Sequence, residues 1–445
     1  MSLIIGIQNF IGIKKLEFNL ADIVIFLGHN NSGKTMAMEL IYGIQKYILN
    51  MDISADGITK NNAQYESCDA WFRSVEKQIN SDLSQNKDKI VRSVFKKNIN
   101  IGRLYVRLEN EETYSFSFTD ITAPIVTDSK DEKVEALPSW EIMIEQLGKR
   151  FVHIYTIRGT TSVRELENIG ATLMFRRIIA GESNSSIPIY LPASRTGLQM
   201  LHKYYFANRS NETSVGDGVI VESNSDEAEH TDYSLTSPVV DYLDFVYNYE
   251  RSPQIAEENE KLLSFMETML LDGTIKKQGK DLYYKRNQRS VDVPMYLSSS
   301  MINELAPIYQ VISSPRRYGT IYYDEIETCL HPLMQQNMAR LIVRLTNSGY
   351  RMIVSTHSDN MASMFNLLFL LASKSSSDAE KNGFEADDIL KDRTFKIYEF
   401  VVGENGVTTV NDIDFNEYPA SGAEFSLFNK NVEKLFELTK KVIGD

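Results

Sequence analysis

The sequence predicts an α/β fold in which a mixed central sheet is flanked by helices and carries an inserted helical subdomain. Three observations predict it. The apolar run Ile23-Val24-Ile25-Phe26-Leu27 leads at once into a glycine-rich loop and then a helix-spaced stretch. A β-prone run, Thr320-Ile321-Tyr322-Tyr323, ends in two carboxylates, Asp324 and Glu325. Another, Arg351-Met352-Ile353-Val354-Ser355, ends in Thr356-His357-Ser358.

At the N-terminus, Leu3-Ile4-Ile5-Gly6-Ile7 and Leu16-Glu17-Phe18 alternate, and 23–27 is apolar throughout. Three strands are expected there, the third buried on both faces. Met1-Ser2-Leu3-Ile4-Ile5 has no charge ahead of its apolar residues and reads as the first strand, not a signal peptide. Met36, Leu40, Ile41, Ile44 and Ile48 recur at helical spacing.

Residues 51–180 are less regular. Stretches 104–108 and 114–118 read as strands with Glu111-Glu112 marking the turn, and the charged 128–135 reads as a loop. Residues 187–191 form a further apolar strand, and 239–271 recovers helical periodicity. The polar stretches 208–237 and 373–388 read as a mobile insertion and a flexible segment. Residues 331–347 form an amphipathic helix with Met334, Met338, Leu341, Ile342 and Leu345 on one face, ended by Gly349. The expected division is 1–200 (phosphate loop and β-rich insertion), 201–290 (helical subdomain with the 208–237 loop) and 291–445. No internal repeat or sustained heptad pattern occurs, so no long coiled-coil arm is expected.

A chain of 445 residues can pack two or three subdomains. It has no apolar run of about 18 residues or more, so no membrane helix is expected. Two cysteines, Cys68 and Cys329, have no metal-type spacing and fit the reducing cytoplasm. A net charge of -13 excludes nucleic-acid binding through bulk charge. One stretch, 276–289, is locally basic, with Lys276, Lys277, Lys280, Lys285, Arg286 and Arg289, and it reads either as a solvated hairpin face or as a nucleic-acid contact.

Gly28-His29-Asn30-Asn31-Ser32-Gly33-Lys34-Thr35 fits G-x-x-x-x-G-K-[ST], with a strand before it and a helix after it. Its glycines let the loop amides, including those of Asn30, Asn31 and Ser32, turn toward phosphate oxygens at a helix N-terminus. Lys34 then reaches the terminal phosphates and the Thr35 hydroxyl ligates Mg²⁺. Asp324 is expected to hold that Mg²⁺ and Glu325 to polarise the attacking water, the two side chains leaving a strand on opposite sides. His357, at the next strand tip, is placed to contact the γ-phosphate.

The order of these motifs resembles prokaryotic ABC-type ATPases of the SMC-like and OLD-like group. The carrying residues are Gly28–Thr35, then Asp324-Glu325-Ile326-Glu327-Thr328-Cys329-Leu330-His331-Pro332, then Ser355-Thr356-His357-Ser358. Ile326 stands where that group usually has proline, and 189–197, Ile-Tyr-Leu-Pro-Ala-Ser-Arg-Thr-Gly, resembles its Y-x-P-A-x-R segment. The resemblance implies a P-loop NTPase of ABC type, ATP and Mg²⁺ as cofactors, and a homodimer or higher homo-oligomer. Its shared site would use a signature loop matched by Leu297-Ser298-Ser299-Ser300-Met301, where Ser300 replaces glycine and Ser298, Ser299 and Ser300 would face a γ-phosphate. Gln199 is a weaker candidate for the metal or its water.

Stand-alone ATPases of this kind accompany separate nuclease effectors in antiphage systems of the Septu and PARIS types. The resemblance therefore implies a switch or sensor that scaffolds an effector. Asp387, Asp388, Asp392, Asp412 and Asp414 make no full TOPRIM pattern, and no N-K-x-D motif suggests GTP. A DNA repair or recombination ATPase acting directly on DNA stays open as the alternative, as does a scaffold that binds ATP and scarcely hydrolyses it.

Overall fold

The first three strands form where the apolar pattern puts them: β1 (Ser2–Phe10), β2 (Ile13–Asn19) and β3 (Ile23–Gly28). The computed structural model describes residues 2–109, 112–122, 138–146, 152–159, 162–180, 185–201, 235–279, 281–289, 291–372 and 376–413. The charged 128–135, Asp414 and the polar insertion up to residue 234 lie outside the described residues. All six residues of β3 are buried; Ile23, Ile25 and Leu27 enter one core cluster, Val24 and Phe26 the other. Strand alternation thus becomes two cores, one on each face of the sheet.

Helix α1 (Lys34–Leu49) follows the glycine-rich loop. The next region holds β4 (Thr59–Asn61), β5 (Gln64–Glu66), α2 (Asp69–Phe95), β6 (Ile101–Glu109), β7 (Tyr114–Asp120), β8 (Ser139–Gln146), β9 (Val152–Arg158) and α3 (Val163–Ala180). The 27-residue α2 is absent from the sequence reading. Its apolar stripe, Trp71, Phe72, Val75, Ile79 and Leu83, breaks at Ser84–Lys89 before Ile90, Val91 and Val94 resume it.

The hairpin expected across 104–118 does not form. β6 pairs antiparallel with β1, while β7 pairs with β5 and β8 in a separate sheet of order β4-β5-β7-β8-β9. Val106 and Leu104 of β6 extend the apolar face of β1 over α2, a larger burial than a two-stranded ribbon offers.

After β10 (Pro188–Leu191) and a short helical segment over 195–201, the helical stretch divides into α4 (Ser237–Tyr247), α5 (Pro253–Glu258), which starts at its proline, and α6 (Glu260–Met269), which Asn259 separates from α5. β11 (Gly273–Gln278), β12 (Asp281–Arg286) and β13 (Val293–Pro294) form a small antiparallel sheet. Then come α7 (Ser300–Ser313), β14 (Thr320–Tyr323), α8 (Pro332–Asn347), β15 (Arg351–Thr356), α9 (Asp359–Leu371), α10 (Ser376–Lys381), β16 (Phe395–Val402) and β17 (Thr408–Ile413).

The stretch 373–388, expected to be flexible, includes the helix α10 and a fully buried Asp388. Asp388 meets Arg340 at 2.7 Å and Arg344 at 2.7 Å, which a count of polar residues cannot foresee.

The main sheet has nine strands in the order β10-β14-β15-β3-β16-β17-β2-β1-β6. From β10 to β16 all neighbours are parallel, and beyond β16 the pairs are antiparallel except β17 with β2. Helices α1, α2 and α3 cover one face; α4, α6, α7, α8 and α9 cover the other. Parallel strands end at one edge, so β3, β10, β14 and β15 present their C-terminal residues together, where ligands bind in open α/β sheets.

Candidate active site

The phosphate loop occupies the C-terminal end of β3. Gly28 is required by crowding: a Cβ there would lie 2.7 Å from the Phe400 carbonyl oxygen on β16. Gly33, at the N-cap of α1, has φ 91°, and Asn31 has φ 63°, both in the left-handed region that lets successive amides curl inward. Thr408 on β17 braces the loop by donating to the Ser32 carbonyl at 3.1 Å.

Lys34 folds back over the loop, its Nζ donating to the Gly28 carbonyl at 2.7 Å and the His29 carbonyl at 2.9 Å. Burial draws its ammonium below the usual lysine range, against the opposing pull of Asp324, Glu325 and Glu327. The cation therefore waits in a partly desolvated mouth, where a phosphate would interact with it more strongly than in water.

Asp324 is 1% exposed. It accepts from Thr35 Oγ1 at 2.8 Å, from the Ser355 hydroxyl, and from Tyr190 at 3.3 Å. Ser355 Oγ also accepts the Glu325 amide at 2.8 Å, so one hydroxyl binds both members of the acidic pair. β14 ends at Tyr323, and Glu325 has φ 45°. Its divergence from Asp324 therefore comes from a left-handed backbone turn, not from strand alternation as expected. Such a conformation costs of order 1–3 kcal/mol for a residue with a Cβ and persists only where surroundings hold it. Glu325 itself is half-buried, open to a ligand at the sheet edge.

β15 lies between β14 and β3 and delivers His357. Glu327, 6% exposed, accepts the His357 amide at 2.6 Å and faces His357 Nδ1 at 2.8 Å. That carboxylate raises the imidazole's affinity for a proton, while the hydrogen bonds from His357 outweigh burial and hold Glu327 low. With Nδ1 engaged, Nε2 is the nitrogen left to meet a phosphate.

Glu327, Ser355, Tyr190 and Arg195 were not assigned from the residues alone. The signal for Arg195 was the segment 189–197, and for Glu327 its place two residues after Glu325. Ser355 and Tyr190 carry no sequence mark beyond their strand ends.

The signature candidate lies at the start of α7. Ser298 Oγ donates to the Met295 carbonyl at 2.7 Å, so its hydroxyl is already engaged. Ser299 caps the helix by accepting the Ile302 amide at 3.4 Å, which leaves its own O–H to donate. Ser299, Ser300, Tyr296 and Leu297 are exposed. Among the described residues no hydrogen bond or ion pair joins 297–301 to 28–35. Gln199 is buried on the helical segment 195–201.

The donor set at Thr35 and Asp324 fits Mg²⁺. A hydroxyl and a buried carboxylate lie together, and Mg²⁺ on a nucleotide needs only one or two protein ligands beside phosphate and water. Among the described residues no group of three or more His, Cys, Asp or Glu side chains would hold a metal by itself.

No family model matches the chain, and no curated protein matches it. Among solved structures, the SMC head domain from Thermotoga maritima aligns over 93% of this chain and 100% of its own, with 10% identity and a TM-score of 0.34. An SMC head bound to the C-winged helix domain of ScpA aligns over 94% and 98%, with 12% identity and a TM-score of 0.37. An SMC head with an extended coiled coil, bound to the C-terminal domain of ScpA derived from Pyrococcus furiosus, aligns over 99% and 100%, with 13% identity and a TM-score of 0.32. The chain's own geometry defines a mixed α/β P-loop fold, with the loop after β3, the carboxylates after β14 and the histidine after the strand between them.

Proposed function

We propose that the chain is an ABC-type ATPase whose ATP sites are completed by a second copy, acting as a nucleotide-dependent switch. The observation that carries this reading is the convergence of Lys34, Thr35, Asp324, Glu325 and His357 at one sheet edge, with an exposed signature loop unattached to its own phosphate loop. The loop amides and Lys34 bind the phosphates, and Thr35 with Asp324 hold Mg²⁺, which neutralises phosphate charge when bound. Glu325 takes the proton of the attacking water. His357, oriented by Glu327, contacts the γ-phosphate and loses that contact on hydrolysis.

ATP then favours closed heads and its loss favours open ones. The protein controlled by this switch is a separate effector, a nuclease by resemblance to stand-alone antiphage ATPases. Three acidic residues of the described C-terminal part are already engaged by cations, which supports a separate catalyst. Asp387 pairs with Lys391 at 3.3 Å, Asp412 with Lys396 at 3.0 Å, and Asp388 with two arginines.

The test is Ser299→Arg. Its bulk and charge at the exposed loop oppose engagement with a second copy. The expected result is ATP affinity within about twofold of wild type and turnover lowered about a hundredfold, since only the closed state assembles the full site. Undiminished turnover would remove 297–301 from the site.

Direct action on DNA is the second reading, and the basic hairpin weighs against it. Lys277 is held by Glu250 at 2.7 Å and Arg286 by Asp272 at 2.9 Å, which neutralises two of its cations in place. Duplex binding is therefore expected to be weak. It should decline steeply with salt, and changing Lys276 and Lys285 to alanine should weaken it further while making the salt dependence shallower. Tight, salt-resistant duplex binding that stimulates hydrolysis would favour the repair reading instead.

A further inference from the structure

We propose that Arg195 is a positioning residue that ties the acidic pair to the signature loop of the same chain, so that closure at one ATP site sets the geometry of the other. The proposal rests on the shared-site reading above. Arg195 is 0% exposed, yet it touches neither phosphate loop nor signature loop directly. Its NH1 donates to the Asp324 carbonyl at 2.5 Å and the Pro192 carbonyl at 2.8 Å. Its NH2 donates to the Glu325 carbonyl at 3.1 Å. Its Nε meets Glu304 Oε2 at 2.8 Å. One rigid, planar group thus holds the main chain of both carboxylates and a side chain of α7.

The tie continues through α7. Glu304 Oε1 accepts from the Thr196 amide at 2.9 Å and the Thr196 hydroxyl at 2.7 Å, and the Glu304 carbonyl accepts from Tyr323 at 3.3 Å. Its neighbour Asn303 donates to the Met295 carbonyl at 3.0 Å and the Ser299 carbonyl at 3.2 Å, closing the signature loop onto the first turn of the helix. The path from Glu325 to Ser299 thus runs through a hydrogen bond to Arg195, its ion pair with Glu304, the peptide link to Asn303 and a hydrogen bond to the Ser299 carbonyl, and all three side chains on it are buried.

A buried ion pair seldom stabilises a fold more than apolar residues of the same size would. What the pair provides, and apolar packing does not, is a fixed orientation between two elements. Glu325 works on the ATP of its own chain and Ser299 on the ATP of the second copy. A shift of the acidic pair on nucleotide binding therefore moves the loop that serves the other site. The coupling is mutual, as linkage requires.

Two variants test this in the full chain. Arg195→Lys replaces the fork by a single ammonium that cannot span both carbonyls and Glu304. Thr196→Val keeps the shape and removes one bond to Glu304. A fluorescent ATP analogue with Mg²⁺ measures binding, phosphate release measures turnover against ATP concentration, and thermal melting measures folding. Wild type is expected to show cooperative turnover. Both variants should bind the analogue within about twofold of wild type, lose cooperativity, and turn over more slowly, by about tenfold to a hundredfold for Arg195→Lys.

A residue that only holds the fold together would lower the melting temperature and leave turnover per folded molecule and cooperativity unchanged, and that result overturns the proposal. Wild-type turnover without cooperativity overturns it too, while leaving the ATPase reading intact. Failure of the wild type to bind the analogue at all would instead remove the ATPase reading. If Arg195→Lys does not fold, Thr196→Val decides alone.

Discussion

Glu325→Gln is expected to keep ATP binding and to slow hydrolysis by about two or more orders of magnitude, the usual contribution of a general base. The glutamine keeps the length and the left-handed backbone of Glu325, whose amide stays bound to Ser355 at 2.8 Å. Only the proton acceptor is lost. Asp324 retains its contacts with Thr35, Ser355 and Tyr190, so the groups that hold Mg²⁺ are undisturbed. Phosphate release under saturating ATP checks the first half and equilibrium binding the second. Wild-type turnover would mean that another group accepts the proton.

Lys34→Ala is expected to weaken ATP binding by about a hundredfold or more. A charge-assisted hydrogen bond is worth about 1.5–3 kcal/mol, and each 1.4 kcal/mol is about tenfold in affinity. The loss has a second source. Lys34 closes the loop by donating to the Gly28 and His29 carbonyls, so its removal leaves the loop less ordered before any nucleotide arrives. Titration calorimetry with ATP checks this, and an unchanged affinity would contradict the assignment of the loop.

Much of the site was legible because its parts are local. The phosphate loop, the acidic pair and His357 each follow directly on a β-prone strand, and strands buried on both faces write their position into the chain as short runs dominated by apolar and aromatic residues. The fold around them was legible for β1, β2, β3, α1 and α8 for the same reason of short-range periodicity.

The unread parts depend on distant partners. Nothing near 104–118 says that β6 joins β1 while β7 joins another sheet, because both strands alternate alike. The interrupted stripe of α2 hides a helix that is defined by what it covers. Asp388 looks like a loop residue until Arg340 and Arg344 are brought to it by α8. Ser355 and Glu327 act through their neighbours Asp324 and His357, and a residue whose role is to hold another leaves no motif of its own. The backbone turn at Glu325 belongs to the same class, since its left-handed φ occurs without glycine and its amide and carbonyl are held by Ser355 and Arg195.

The most direct test of the shared-site ATPase is the mass of the Glu325→Gln protein in solution, measured by sedimentation with and without ATP and Mg²⁺. The base is gone, so bound ATP persists and a closed assembly should accumulate. The account predicts that ATP with Mg²⁺ doubles the mass, or drives it to a higher multiple, and that adding Lys34→Ala abolishes the change. ATP bound tightly by the Glu325→Gln chain with no change in mass would contradict it.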